Sequence, residues 1–434
     1  MTYSIVGLGG IGLLMVLLLL LGMPVGFAMG IVGVGGMALI VSGTAATAML
    51  GTEMWNIFSS YGLTMIPLFI LMGEICFYSG LNRRLFKATH TVAGHIRGGL
   101  AIATIAACAG FAAICGSNTA TAATMTTVAL PEMRKYRYEP ALSLGAIACG
   151  STLGVVIPPS VVLIIIGLYT GQSISKLFYG GILAGLLLAA LFMITVFVLC
   201  SIKPERSPVA NHYSLREKIR ALPGFLEALI LFLLVIGGLY SGFFTPTEAG
   251  AVGSFLALVM AMGRRKITWQ GFKTAVAETL EISCMVFVII AGAVMFSRFL
   301  AVTRLPFTVA EWVGSLPVPP VAVLSVIFVI YILGGAIMDA LAFLLITIPI
   351  FFPVVEKLGY DPLWFGVTIT VITTLGAVTP PVGATTYVVA GMAKDESMTT
   401  VFKGIFYFLP AYLLCVILLV AFPSIVTYLP NLVR

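Results

Sequence analysis

The chain has 434 residues, of which 60% are hydrophobic and 9% charged, with a formal net charge of +7. That usage excludes an ordinary soluble domain and describes an integral membrane protein. The Lys and Arg excess sits in short connections, as in cytoplasmic loops, so the positive charge reads as membrane topology and not as a nucleic-acid surface.

In chain order, apolar runs near the roughly 20 residues needed to cross a bilayer predict spans. The first half places them at 5–21, 25–45, 61–78, 141–171 and 178–202. The run 5–21 lacks the basic flank of a secretory signal, because the first Lys or Arg is Arg83, and it reads as a retained span. A polar connection at 203–222 leads to spans at 223–241, 247–262, 276–300, 363–393 and 400–422.

Two apolar stretches do not read as spans. The segment 98–131 has Arg83, Arg84, Lys87 and Arg97 before it and Arg134, Lys135 and Arg137 after it, which puts both ends on one side. A re-entrant helical hairpin satisfies this, with its tip at Gly116–Ser117–Asn118–Thr119–Ala120–Thr121. The segment 319–353 is its counterpart, with a tip near Met338, Asp339 and Ala340.

One offset of 222 relates the halves. "TLGVVIPP" from Thr152 to Pro159 returns as "TLGAVTPP" from Thr374 to Pro381, Pro24 falls on Pro246, Pro131 on Pro353, Lys135 on Lys357, and "YEP" at 138–140 on "YDP" at 360–362. The loop around Tyr138 is basic and its counterpart around Tyr360 is not, so the two face opposite sides. Five spans per half, an odd number, then invert the second half. The expected fold is an all-α polytopic membrane protein of two inverted repeats, 1–202 and 223–434, each with five spans, a re-entrant hairpin and a broken helix.

The double prolines lack N–H groups and clash with the preceding turn, so 141–171 and 363–393 are predicted to break in mid-membrane. Irregular backbone at that depth survives only inside protein or along a wet cavity. Inverted repeats with paired broken helices point to a secondary transporter with its site between the halves. Freed carbonyl oxygens suit a small hard cation, and helix N-termini suit an anion. The repeat thus predicts one sodium ion held by Ser117, Asn118 and Thr119 with Gly154 and Pro158, and a second held by Asp339 with Thr374, Gly376 and Thr379.

Plainer readings compete at each position. Ser117 to Thr119 also suit a helix cap. Asp339 also suits a carboxylate bonded to neighbouring helices, although placing it centrally costs some ~3 kcal/mol. Glu74 reads as a partner of the basic loop Arg83–Arg97, and Glu278 and Glu281 as an interfacial pair. His90, His95 and His212 read as solvated loop residues, and Trp55, Trp269, Trp312 and Trp364 as interfacial aromatics. The seven cysteines show no CxxC spacing and read as small packing residues. No HExxH, GxSxG or Walker loop occurs, and no His or Lys is predicted beside Ser117, which excludes the usual enzyme classes. Two inequivalent broken sites argue against a passive channel.

At these residues the chain resembles the large membrane subunit of tripartite ATP-independent periplasmic (TRAP) transporters. The matching stretches are "PLFILMGEICFYSGLNRRL", "GFAAICGSNTATAA", "IPPS", "SGFFTPTEAGAVG", "GGAIMD", "YDPLWFG" and "TPPVGA", in the family's order. With the basic loops inside, both termini are expected to be periplasmic, and the resemblance implies a sodium-driven elevator in the bacterial inner membrane. It implies a small four-helix membrane subunit, a periplasmic substrate-binding protein, surrounding lipid, and an organic-acid substrate such as a dicarboxylate or sialic acid. Carried over by position, the ion and substrate region lands on Ser117, Asn118, Pro158, Pro159, Asp339, Thr379, Pro380, Pro381 and Gly383. Substrate is expected against Ser117, Asn118, Pro159, Ser160, Pro381, Gly383 and Thr385. The family commonly has an acidic residue and isoleucine before the glycine of its second break and Leu-Asn after "PPVG"; this chain has Thr374, Leu375, Ala384 and Thr385 there. Two alternatives stay open at this point: a divalent-anion/sodium symporter that needs no binding protein, and a structural or sensory membrane subunit.

Overall fold

The computed structural model describes residues 2–207 and 214–432, and among these it is helical with short connections. The chain opens with α1 (Thr2–Leu19) and α2 (Val25–Ile40). The expected span 25–45 ends early: Ser42 Oγ accepts the Ala45 N–H at 3.1 Å and starts a separate helix, α3 (Gly43–Phe58). A 3₁₀ turn at Tyr61–Thr64 leads into α4 (Met65–Tyr78), then the amphipathic α5 (Leu81–Ala93). The first hairpin follows as α6 (Gly99–Cys115) and α7 (Asn118–Lys135). The first broken helix is α8 (Pro140–Ser151), the single turn α9 (Leu153–Val156) and α10 (Val161–Thr170), and α11 (Ile174–Ile202) closes this half.

Beyond the connection come α12 (Leu215–Tyr240), α13 (Pro246–Gly263), α14 (Trp269–Thr303) and α15 (Leu305–Ser315). The second hairpin is α16 (Pro320–Ile337) and α17 (Ala340–Lys357), and the second broken helix is α18 (Pro362–Gly376) and α19 (Ala384–Met392). The chain finishes with α20 (Met398–Ala421) and α21 (Ser424–Leu432). Shifted by 222, α7 falls on α17 end for end, and α2, α5, α6 and α10 fall within two residues of α13, α15, α16 and α19. The segment holding α3, the 3₁₀ turn and α4 is drawn out in the other half into the 35-residue α14. Three helices that periodicity left unassigned, α3, α15 and α21, are all short.

Among the described residues nine helices are long and apolar enough to cross a membrane, both arms of the second hairpin included. Each hairpin arm has 17 or 18 residues, about 26 Å at 1.5 Å per residue, so the tips reach deep. Packing gathers α2, α3, α4, α13 and α14 on one side, and α6 to α10 with α16 to α20 on the other. Small residues bring backbones together in both groups. A Cβ on Gly26 would lie 2.6 Å from the Val288 carbonyl oxygen, and one on Gly145 would lie 2.4 Å from that of Gly404.

Ion pairs join connections that the charge pattern assigns to one side: Arg134 to Asp395 at 3.0 Å, Arg206 to Glu139 at 3.1 Å, and both Arg84 and Arg264 to Glu227. Four expectations are corrected. Glu74 does not meet the basic loop; it lies beside Glu278, which accepts the Tyr78 hydroxyl at 2.6 Å, while Arg84 takes Glu227 instead. His90 is buried on α5 against Phe86 and Tyr136, because α5 folds back onto the hairpin; His95 is exposed, and His212 lies outside the described residues. Trp364 is buried as well, donating its indole N–H to the Leu419 carbonyl at 2.8 Å, whereas Trp55, Trp269 and Trp312 are exposed. Cys284 is exposed on α14, so packing describes only the other six cysteines, all buried.

Candidate ion and substrate site

Each break starts where the chain has no N–H to offer. Ile157 leaves the helical region at ψ 125°, the Pro158–Pro159 peptide is cis, and Ser160 restarts the helix by accepting the Leu163 N–H on its Oγ at 3.3 Å. The Ser160 hydroxyl donates in turn to the Val155 carbonyl at 2.5 Å, so one side chain ties both lips of the break. Pro380–Pro381 is likewise cis, and Gly383, at φ +61°, turns the chain into α19. A left-handed turn of that kind favours glycine.

The first tip seats directly on the first break. Ser117 caps α7 by accepting the Ala120 N–H at 3.3 Å, and its hydroxyl lies 3.1 Å from that of Thr119. A Cβ on Gly116 would stand 2.5 Å from the Pro159 carbonyl oxygen, and one on Gly154 would stand 2.5 Å from that of Ser117. Both glycines are therefore required by close approach, Gly116 by its φ of +64° as well. The second hairpin holds its own break through the backbone: the Ala336 carbonyl accepts N–H groups from Val382 and Gly383, each at 3.1 Å.

The two units meet at Asn118. Its amide donates to Thr385 Oγ1 at 3.0 Å, joining the first tip to the helix that follows the second break. Both residues are buried. The breaks differ in access: Pro158, Pro159 and Ser160 are buried, whereas Pro381 and Val382 are exposed beside the uncapped N-terminus of α19.

The remaining positions are less convergent. Asp339 caps α17, its Oδ1 accepting the Leu341 N–H at 3.0 Å. Among the described residues no hydrogen bond joins Asp339 to Thr374, Gly376 or Thr379. Thr379 turns its hydroxyl onto the Leu375 carbonyl at 2.6 Å, and Gly376 packs backbone to backbone against Gly335 of α16. Thr374 is buried and bonded to the Val371 carbonyl at 2.7 Å, with the Tyr412 hydroxyl beside it. Thr152, its equivalent at the shift of 222, shares a hydrogen bond with that Tyr412 hydroxyl. Sequence reasoning missed Tyr412 altogether, and the repeated threonine that opens each "TLG" was the only pointer to it. Thr121, whose hydroxyl donates to the Ser117 carbonyl at 2.6 Å, and Thr386, which donates to that of Val378 at 3.1 Å, also went unassigned.

The first tip, the two proline breaks and the N-termini of α7 and α19 thus come together. The family model for the tripartite ATP-independent periplasmic transporter, DctM component, matches residues 11–425. The chain belongs to that family. It is 33% identical over 397 residues to the C4-dicarboxylate TRAP transporter large permease protein DctM of Pseudomonas aeruginosa, covering 91% of each. It is 30% identical to the sialic acid TRAP transporter large permease protein SiaM of Vibrio cholerae, covering 96% of each. Among solved structures, the Alcanivorax borkumensis YdaH transporter shares the fold with a TM-score of 0.63 at 15% identity, over 89% of this chain and 90% of that one. This TRAP chain is thus a multi-pass membrane protein, the large permease subunit of a secondary transporter, and not an enzyme. The family is tripartite, which makes the chain one component of three.

Proposed function

We propose that this TRAP subunit carries a small organic acid into the cell by sodium symport, as an elevator in the inner membrane. The observation that supports this best is the Asn118–Thr385 contact, where the polar tip of one hairpin meets the helix after the opposite break. Matched element boundaries at the shift of 222 support two inverted repeats, 1–202 and 223–434, joined through 203–222. With the basic ends inside, both termini face the periplasm. The buried group carrying the tips and breaks is the moving domain, and the group around α2, α4, α13 and α14 is the scaffold.

In this reading one sodium ion lies between Ser117, Asn118 and Thr119 and the break at Gly154 and Pro158, and a second lies near Asp339 and Thr379. The substrate carboxylate sits at the N-termini of α7 and α19, against Ser117, Asn118, Pro159, Ser160, Pro381, Gly383 and Thr385. N-terminal N–H groups and the helix dipole favour an anion there, without any Lys or Arg at the breaks. Relatives named for C4-dicarboxylates, sialic acid and isethionate are all named for acids. A periplasmic binding protein delivers the substrate, and a small four-helix membrane subunit flanks the scaffold.

Reconstitution tests this. Proteoliposomes holding this chain and its small subunit, given the binding protein and an inward sodium gradient, accumulate labelled acid. Uptake without the binding protein would favour a self-sufficient symporter, and no uptake under any gradient would refute the transport reading.

A further inference from the structure

We propose that a basic cleft between α5, α12 and α13 binds the phosphate headgroup of an anionic phospholipid. The cleft encloses about 440 Å³ and its wall carries Arg84, Lys87, Arg220 and Arg264 against Glu217 and Glu227. Four cations and two carboxylates leave two positive charges.

The carboxylates are already engaged. Glu227 is shared by Arg84 at 2.9 Å and Arg264 at 2.6 Å, and Glu217 turns back to cap α12, accepting from Ser214 N–H at 2.8 Å. Lys87 and Arg220 are exposed and form no ion pair among the described residues. The close approach that shapes the cleft is built in: a Cβ on Gly224 would lie 2.7 Å from the Arg84 carbonyl oxygen.

Depth selects a lipid over a free ion. Three apolar segments end at this cleft: Tyr61–Tyr78 just before α5, Arg216–Tyr240 at its start, and Pro246–Gly263 at its finish. Their shared limit is headgroup level. The concentration of Lys and Arg places this end in the cytoplasmic leaflet, where anionic lipids attract such clusters.

The test is thermal unfolding of the purified chain in neutral detergent and phosphatidylcholine micelles titrated with phosphatidylglycerol. The wild-type midpoint rises and saturates. In the double variant Lys87→Gln/Arg220→Gln, which leaves the Glu227 pairs intact, half-saturation needs about 30-fold more lipid, while Lys176→Gln on α11 behaves as wild type. Inorganic phosphate, added instead of the lipid, leaves the midpoint unchanged. An undiminished response in the double variant, or an equal rise with inorganic phosphate, overturns the proposal.

Discussion

Replacing Gly154 by alanine plants a methyl carbon 2.5 Å from the carbonyl oxygen of Ser117, with Thr121 Oγ1 3.1 Å away. Carbon and oxygen settle at about 3.3 Å or more, so the first tip must withdraw by close to ~1 Å. The obstructing atom is backbone and cannot rotate aside. Overpacking of this kind costs about 1 to 3 kcal/mol, and the shift also strains the Asn118–Thr385 bond, worth about 1 kcal/mol net. Gly391 on α19 is the control, because a Cβ there meets nothing within 4 Å and alanine gains up to ~1 kcal/mol of helix propensity. The assay is equilibrium unfolding in detergent, run in sodium and again in potassium. Gly154→Ala is expected to lose stability and most of its sodium response, and Gly391→Ala to keep both. A Gly154→Ala chain as stable and as sodium-responsive as its parent would refute the seating of tip on break.

Three further outcomes follow from the geometry. Tyr412→Phe removes one hydroxyl that meets both Thr152 and Thr374, yet each threonine keeps its own carbonyl partner, at 2.6 and 2.7 Å. The loss should be about 1 kcal/mol, and a double-mutant cycle with Thr152→Val and Thr374→Val checks which threonine the hydroxyl is coupled to. Asp339→Asn preserves a good helix cap, so stability without sodium should change by no more than about 0.5 kcal/mol while the sodium response falls. A retained response would leave Asp339 as a cap alone. On α5, outside the spans, burial holds the His90 imidazole below its ordinary range, with Glu132 opposing that shift and Lys135 adding to it. A depressed histidine stabilises the fold while neutral, so that contribution is intact above the ordinary value of ~6.5 and is lost as the pH falls below it. Unfolding midpoints measured from about pH 8 down to pH 5 should drop less in His90→Gln than in wild type.

The hairpins and broken helices were legible because each is punctuated by residues with one physical meaning: polar tips inside apolar runs, and double prolines inside spans. Repetition at 222 then fixed their partners. The helices α3 and α15 were not legible, since neither is long or uniformly apolar and their starts depend on single turn residues such as Ser42 and Arg304. Glu74 misled for a related reason. Its nearest cations in sequence lie on α5, but the helix that packs beside it is α14, two hundred residues away, and it brings Glu278. Tyr412 was invisible because nothing local marks a tyrosine in a hydrophobic helix as the meeting point of two distant threonines. At the site itself, Ser117, Asn118, Gly154 and Ser160 emerged in direct contact with a tip or break, whereas Thr374 proved to face the interior.

The most direct test of sodium coupling is equilibrium binding of isotopically labelled sodium to the purified chain, with Ser117→Ala and Asp339→Asn in parallel. The account predicts saturable binding that potassium does not displace and that both variants weaken. Saturable binding left intact by both substitutions, or no saturable binding to a folded chain, would contradict sodium coupling at the two tips.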